Sequence, residues 1–339
     1  MTAPGGIDPS SQHAEPEAVA QVSATRAIEG RSLGQIAWMR LKRDKIAIAG
    51  AVIVLFLILV AIFAGVLTKL NGHPPSTFYS DQIDPNTGGL PKGRFGGVSS
   101  EFWFGVEPGT GRDLFSRIVH GARVSLLIAF LATGVAVATG AVLGVTAGYF
   151  GGKIDRIISS VMDILLAFPL LIFAIALVAV DPRIPIPGGG KENDLAVPRL
   201  VLLVIIIGGF SWPYVGRIVR GQTLSLREKE FIEAARSVGA SDSRIVFKEL
   251  LPNLVAPIIV YSTLIIPSNI LFEAALSFLG VGVNPPTPTW GNMLSDAIPW
   301  YRADPTFMII PGVALFITVL AFNLFGDGLR DALDPRGGR

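Results

Sequence analysis

The chain has 339 residues, of which 50% are hydrophobic and only 16% are charged, with a formal net charge of +2 and no cysteine. Soluble domains carry about 25% charged residues, so this composition indicates a membrane protein. The small net charge argues against a nucleic-acid partner. The absence of cysteine excludes disulfides, thiolate metal sites and thiol nucleophiles.

Residues 1–31 are rich in Ala, Pro, Ser, Glu and Gln and lack an apolar face, which predicts a disordered tail. The first apolar run begins only at Ile46 and continues to Leu67. Because this run is too long for the apolar core of a cleaved signal peptide, it predicts a membrane span instead.

Six apolar segments predict an all-α integral membrane fold with six membrane-spanning helices. A span needs about 20 apolar residues, so the fourth segment is short for one. Helices are expected because they satisfy their backbone hydrogen bonds internally, as the lipid interior requires. Residues 151–156 predict a tight turn between the second and third spans. The predicted spans are residues 46–67, 124–150, 157–180, 200–216, 250–283 and 305–326.

The distribution of basic residues predicts the orientation of these spans. Lys and Arg number 18 in residues 1–45, 151–156, 217–249 and 327–339, which lie on the side of the N-terminus, and 9 in residues 68–118, 181–199 and 284–304 on the opposite side. Basic loops stay in the cytoplasm. We therefore expect both termini to be cytoplasmic.

Small and charged residues stand out within the spans. Gly140, Gly144 and Gly148 recur every four residues and predict a smooth helix face on which another backbone packs closely. Asp163 and Glu273 are ionisable groups at membrane depth, where a charge is costly. Two interpretations of these carboxyls stay open, namely the polar wall of a translocation path and a hydrogen-bonded group that holds helices together.

The segment between the fourth and fifth spans predicts a rigid projection. Residues 226–238 favour a helix, and Gly239 follows where a left-handed C-cap residue belongs. Ser241 and Asp242 supply an N-cap and a first-turn acid for a second helix towards Pro252. Such a projection suits mechanical coupling to a separate protein. The alternative is a helix pair lying on lipid, which the mixed charge disfavours. One apolar stripe consists of Phe231, Ala234, Ala235 and Val238.

Several chemical motifs are absent from the sequence. It contains no G-x-x-x-x-G-K-[ST] phosphate loop and no H-E-x-x-H zinc motif. Its three histidines, His13, His73 and His120, are scattered, and no nucleophile stands beside a base. These patterns predict no catalytic site, no metal site and no cofactor, so the energy for any transport must come from a partner.

The loop resembles the EAA loop of bacterial ABC-importer permeases. Glu233-Ala-Ala, Gly239 and Leu251-Pro252 carry this resemblance, although Glu249 stands where the family pattern has isoleucine. Longer strings resemble the C-type permease subunits of dipeptide and oligopeptide importers. The chain departs from this family at residues 104–110. The family usually has Gly-Thr-Asp just before the Gly-Arg-Asp string, which begins at Gly111 here. The similar strings are residues 111–117, 121–126, 148–156, 163–169, 220–227, 273–280, 285–293 and 322–335.

The resemblance implies a type I ABC importer permease fold in a bacterial plasma membrane, with cytoplasmic coupling helices. It implies a 1–31 tail, a 32–118 region with the first span and a long external segment, a 119–327 permease domain and a 328–339 cytoplasmic tail. The ATPase-coupling residues it implies, together with the stripe, are Phe231, Glu233, Ala234, Ala235, Val238, Gly239, Ala240, Leu251 and Pro252.

The function that the resemblance implies is half of a translocation pathway for dipeptides or oligopeptides. The implied partners are a second, B-type permease subunit, two ABC ATPase subunits, an extracytoplasmic peptide-binding protein, the peptide and membrane lipid, with no nucleic acid. A sister permease for nickel chelates or another small solute is the alternative. A secondary transporter would show inverted repeats and paired intramembrane charges, and a membrane enzyme would show clustered catalytic residues. The sequence shows neither pattern.

Overall fold

The computed structural model describes residues 33–179 and 196–333. The predicted tail 1–31, Val180 at the end of the third predicted span and residues 334–339 of the predicted C-terminal tail lie outside these described residues. The helices are α1 Leu33–Leu41, α2 Lys45–Ile62, α3 Ala64–Asn71, α4 Leu114–Phe150, α5 Gly152–Ala167, α6 Leu170–Ala179, α7 Ala196–Arg227, α8 Glu230–Ser237, α9 Asp242–Arg244, α10 Leu251–Phe278, α11 Trp290–Ala297 and α12 Thr306–Leu333.

The helices α2, α4, α7, α10 and α12 are long and apolar enough to cross a membrane, and the bent pair α5–α6 makes a sixth candidate span. The all-α membrane fold is therefore confirmed.

The end of the bundle that carries α8 is called the basic end below, and the end that carries residues 72–113 is called the hairpin end. The first predicted span is too long, because a break at Phe63 separates α2 from α3.

The third predicted span is broken rather than continuous. The helices α5 and α6 meet at a bend of 80°. Phe168 between them has an extended backbone, with φ −78° and ψ 129°. Proline disfavours the helical conformation of the residue before it, so Pro169 explains the break. The bend lies at the proline where the sequence indicates a kink in the segment 157–180.

Two helices extend well beyond their predicted spans, because the structure accommodates charged residues at which the apolar runs ended. The helix α4 begins at Leu114, and α7 continues to Arg227. In the extension of α7, Arg220 forms an ion pair with Asp155 of α5, with its Nη2 2.7 Å from Asp155 Oδ2. An arginine that is paired across helices can lie within a helix bundle.

The most extensive helix contact in the described residues joins α4 to α7 and includes the glycine stripe. Gly140, Gly144 and Gly148 all face α7. A Cβ atom built on Gly144 would lie 2.6 Å from the carbonyl oxygen of Gly216, closer than real Cβ contacts allow. The nearest α7 atoms would lie 2.8 Å and 2.7 Å from Cβ atoms on the other two glycines. The stripe therefore lets the two backbones touch, and it packs α4 within this chain.

A second part of the core joins α2, α4, α10, α11 and α12. Trp290 at the start of α11 is buried, and its Nε1 donates a hydrogen bond to the carbonyl oxygen of Ile118 at 3.1 Å. Gly121 leaves room for this indole ring on the face of α4. The apolar residues around it include Leu114, Leu126, Ile270, Met293, Phe307 and Phe322.

The hairpin end holds the long segment 72–113 between α3 and α4. Its two-stranded antiparallel hairpin pairs Ile83–Asp84 with Leu90–Pro91. The rings of His73, Tyr79 and Phe102 pack together beside it, with centroids 4.4–5.2 Å apart. The segment therefore has a small ring core of its own.

Four charged residues fasten this segment to the bundle, and they are called the hairpin-end charge cluster. Arg112 Nε lies 2.6 Å from Glu107 Oε2, and Arg117 of α4 contacts Oε1 of the same carboxylate. The Asp296 carboxylate of α11 lies 3.8 Å and 3.9 Å from the two guanidinium groups. Glu107 lies within residues 104–110, where the chain departs from the family pattern, and the structure uses it to bind two arginines.

Candidate functional site

The helix α8 at the basic end is anchored by one buried side chain. Ile232 is fully buried and packs with Ile245, Leu250 and Val145. The predicted helix over 226–238 began too early, because α7 continues to Arg227 and α8 begins only at Glu230. The apolar stripe chosen from the sequence omitted Ile232. Ile232 is the one long aliphatic residue of this short helix, and this could have identified it as the buried anchor.

The predicted stripe divides between two faces of α8. Phe231, Ala234 and Val238 are exposed, with Val238 exposed by 88%. Ala235 is half-buried and packs against the apolar cluster around Ile232. The exposed residues follow an i, i+3, i+7 spacing and therefore lie on one side of the helix. They form an apolar surface that nothing in the described residues covers, called the α8 surface below.

The helix end that follows confirms the prediction of a left-handed glycine. Gly239 has φ +81°. Its N–H donates to the carbonyl oxygen of Arg236 at 2.9 Å, and the N–H of Ala240 donates to the carbonyl oxygen of Ala235 at 3.0 Å. This pair of bonds is a Schellman C-cap. Ala240 packs inward against the same apolar cluster as Ala235, and Glu233 is exposed on the first turn of α8.

The second helical piece runs directly into the fifth span. It begins at Asp242 and continues through a π-helical turn, Ile245–Leu250, into α10. Leu251 and Pro252 occupy the first turn of α10, with Leu251 half-buried and Pro252 exposed. Proline lacks the N–H of a regular helical bond, and the wide turn lies immediately before it. Residues 230–252 thus form a pair of short helical pieces that joins two spans.

Asp163 is not an isolated carboxyl. Its Oδ1 lies 2.7 Å from Nη2 of Arg217, and the two side chains are 69% and 56% exposed, respectively. Arg217 directly follows the fourth predicted span and was therefore expected in the loop, but it lies within α7. Because an exposed ion pair in lipid is costly, this surface requires water or another protein chain beside it.

Glu273 occupies a different environment. It is fully buried on α10, and its Oε1 accepts a hydrogen bond from the Ser277 hydroxyl at 2.7 Å. Its Oε2 has no hydrogen-bond partner in the described residues. The full burial of Glu273 argues against the wall of an open path, and its hydrogen bond in the described residues stays within α10. The structure does not bring it close to Asp163.

An opening within the spans lies between α7 and α10. A cavity of about 360 Å³ is lined there by Tyr214, Tyr261 and Phe272, among others. At its wall, Ser211 Oγ donates to Asn269 Oδ1 at 3.0 Å, and Asn269 Nδ2 contacts Thr133 Oγ1 of α4 at 2.8 Å. This opening is called the α7–α10 groove.

Sequence reasoning missed the groove, because single Ser, Asn and Tyr residues do not interrupt an apolar run. Neither Asp163 nor Glu273 lines it. Tyr214 and Arg217 are three residues apart on α7 and share its exposed face, so the ion pair lies beside the groove. Within residues 33–179 and 196–333, no three His, Asp or Glu side chains are grouped to hold a metal ion.

Comparison with known proteins decides the family. Residues 140–338 match the family described as "Binding-protein-dependent transport system inner membrane component". The chain belongs to this family. Residues 32–88 match the N-terminal TM domain of oligopeptide transport permease C. The chain is therefore a multi-pass membrane component of an ABC transport system.

Two curated relatives cover nearly the whole chain. The dipeptide transport system permease protein DppC of Alkalihalophilus pseudofirmus is 43% identical over 88% of this chain and 89% of that protein. The glutathione transport system permease protein GsiD of an Escherichia coli strain is 42% identical over 88% of this chain and 89% of that protein. These values confirm the resemblance that the sequence strings indicated.

A solved structure shows the same fold. The inward-facing MetNI methionine ABC transporter matches with a TM-score of 0.52 at 21% identity, over 65% of this chain and 98% of the matched chain. The ABC importer permease fold predicted from the sequence is thereby confirmed.

Proposed function

We propose that this chain is one of two permease subunits of a bacterial ABC importer for dipeptides or oligopeptides, and that an ABC ATPase docks on the α8 surface. The single observation that carries this proposal is the exposed face of Phe231, Ala234 and Val238 on a helix that Ile232 anchors to the bundle. ATP is hydrolysed on the partner ATPases, because the sequence contains no phosphate loop.

The shape of the α8 surface suits docking rather than lipid contact. Exposed apolar residues with charged neighbours are typical of the anchor positions in protein interfaces. Glu230, Glu233 and Arg236 surround the apolar side chains on the same short helix. Their mixed charge supports a protein partner over an anionic membrane surface, which would attract a uniformly basic helix.

The α7–α10 groove is the part of the translocation path that this chain contributes. Tyr214, Tyr261 and Ser268 line the groove with neutral hydroxyl groups, which suit the amide groups of a peptide backbone. The second permease subunit and water cover the exposed face with the Asp163–Arg217 pair. The 43% and 42% identical relatives, which are a dipeptide permease and a glutathione permease, support a peptide over a nickel chelate.

Docking is tested by co-expressing the chain with its partner ATPases and purifying the complex through a tag on the permease. Phe231→Ala combined with Val238→Ala removes the apolar anchors. We expect at least a tenfold loss of ATPase recovery, equivalent to about 1.4 kcal/mol. Phe95→Ala, which truncates an exposed ring at the hairpin end, is the matched control. Full recovery of the ATPase with the double variant would exclude the α8 surface as the docking site.

The cargo and the orientation are tested separately. Vesicles containing the reconstituted importer are expected to accumulate dialanine or glutathione in an ATP-dependent way, and accumulation of a nickel chelate instead would contradict a peptide cargo.

The natural chain has no cysteine, so Val238→Cys and Phe95→Cys each introduce a unique thiol. A membrane-impermeant maleimide added to intact cells should label Phe95→Cys alone. Labelling of Val238→Cys under these conditions would reverse the proposed cytoplasmic location of α8 and the termini.

A further inference from the structure

We infer that Tyr149, at the basic end of α4, is the positioning residue that passes a movement of the α8 segment on to the α4–α7 pair. This inference rests on the proposed function, because it assumes that a docked ATPase displaces α8. It assigns a role to a residue outside the α8 surface and outside the groove.

Tyr149 contacts the chain on both sides of Gly239. Its hydroxyl donates a hydrogen bond to Asp242 Oδ1 at 2.6 Å, and Asp242 is the first residue of α9. The guanidinium carbon of Arg236, in the last turn of α8, lies 5.6 Å from the centroid of the same ring. A cation over an aromatic face and a charged acceptor for the phenol are both favourable contacts. The buried side chain of Tyr149 therefore contacts both α8 and α9.

The end of α4 is also tied to the end of α7. Arg227 Nη1 lies 3.2 Å from the carbonyl oxygen of Gly148 and 3.3 Å from that of Tyr149. The last carbonyls of a helix have no partner within the helix, and a basic group at that end is electrostatically favourable. Arg227 is the last residue of α7, immediately before the loop that leads to α8.

Apolar packing completes this junction. Tyr149, Val145, Ile232 and Ile245 belong to one buried cluster, so α8 and the π turn both rest on the last turns of α4. Directly behind the junction, Gly148 brings α4 against α7. Well-packed contacts transmit displacement because they have little room to absorb it. A shift of α8 must therefore move α4 and α7 together or break the contacts of Tyr149.

The variant Tyr149→Phe removes the hydroxyl and keeps the ring that Arg236 and the apolar cluster contact. We expect unchanged ATPase recovery in the co-purification assay. In reconstituted vesicles, the amount of dialanine or glutathione imported per ATP hydrolysed should fall at least threefold. The probe is whichever of the two the wild-type importer carries. Tyr301→Phe, which removes an exposed hydroxyl at the hairpin end, should leave this ratio unchanged.

Variants of Asp242 separate transmission from folding. Asp242→Ala should reproduce the effect of Tyr149→Phe, and Asp242→Asn, which keeps an oxygen acceptor, should restore most of the ratio. The double variant Tyr149→Phe with Asp242→Ala should be no worse than either single variant, because both break the same contact. These substitutions leave the buried ring in place, so membrane insertion is expected to be normal.

Three results would overturn the inference. They are a wild-type transport-to-ATP ratio in Tyr149→Phe, a loss of ATPase recovery in that variant, and additive effects in the double variant. None of them would affect the proposed function, which fails only if the α8 variants retain ATPase binding or if the wild-type importer carries no peptide. The two proposals are therefore tested by different measurements.

Discussion

At the hairpin end, charged side chains are buried and fixed, whereas at the basic end they are exposed around an uncovered apolar helix. Glu107 and Arg117 are 1% and 2% exposed and bind each other. Glu233, in contrast, is exposed on the first turn of α8. A buried ion network resists rearrangement, because each charge left alone in the interior is costly. At the hairpin end, the segment 72–113 is therefore firmly attached to the bundle. At the basic end, the exposed α8 surface is held in place by a few directional contacts.

The largest effect is expected from breaking the hairpin-end charge cluster. Glu107→Gln leaves two arginines without their shared carboxylate, one of them in the interior. The expected loss is about 3–5 kcal/mol in the free energy of unfolding, because buried Arg117 loses its close carboxylate and keeps only the more distant, partly exposed Asp296. Thermal or denaturant unfolding of the purified protein in detergent measures it.

Two further glutamates provide the controls for this comparison. Glu101→Gln changes a largely exposed residue of the hairpin end, and Glu233→Gln changes an exposed residue of the basic end. Each should alter the free energy of unfolding by less than about 0.5 kcal/mol. A Glu107→Gln protein as stable as these two would show that the cluster does not fix the segment.

The second effect concerns the link between the two ends, which is the α4–α7 contact. Gly144→Val places side-chain atoms where a Cβ alone would lie 2.6 Å from a backbone oxygen of α7. Overpacking of this kind costs about 1–3 kcal/mol. Gly134→Val on the same helix is the matched control, since a Cβ there meets no atom within 4 Å. Equal melting temperatures for the two variants would contradict a tight helix pair.

Sequence patterning was sufficient for the number of apolar segments and for the glycine face of α4, because both depend on local composition and helical period. Pro169 also indicates a kink in the third segment, although the bend of 80° between α5 and α6 does not follow from the sequence. Sequence patterning also placed Arg217 in a loop, because a charged residue was taken to end the apolar segment. The pairing with Asp163 that keeps this arginine in α7 depends on a helix distant in sequence.

The candidate site shows the same division. The left-handed Gly239 and the first-turn acid Asp242 of α9 follow from short-range capping rules. The direction of Ile232 and the contact of Tyr149 with Asp242 depend on how α8 lies against α4, which no local rule contains. The groove depends on three helices, because Thr133, Ser211 and Asn269 come from α4, α7 and α10.

A smaller effect is expected from straining the turn at the basic end. Gly239→Ala forces a side chain into a backbone with φ +81°, although a Cβ there meets no neighbour within 4 Å. The cost is about 1 kcal/mol and is purely conformational. Uptake and ATPase recovery should both fall, because the α8 surface loses its fixed angle. Gly221→Ala, within α7 and also free of close contacts, should retain both activities. Identical behaviour of the two variants would show that the turn tolerates a change of angle.

The smallest effect is a pH dependence confined to the hairpin end. Burial, followed by the nearby charge of Glu107, raises the pKa of Asp296 above its usual 3.8, against the opposing effect of Arg117 and Arg112. Below pH 3.8 the carboxyl is protonated whether the chain is folded or unfolded, so it has no effect on stability there. As the pH rises through the folded-state pKa, the unfolded chain releases its proton first, and the folded state loses stability.

Asp296→Asn removes this titration, so the difference between the variant and wild type separates it from the titration of other groups. The melting temperature of the variant relative to wild type should therefore rise modestly as the pH increases from 4 towards 7, and then level off. The effect is small because Asp296 is 43% exposed and solvent screens its charge. Exposed Asp81→Asn, also at the hairpin end, should show no such trend. A relative melting temperature that falls with pH would mean that the arginines stabilise the Asp296 carboxylate by more than its burial costs.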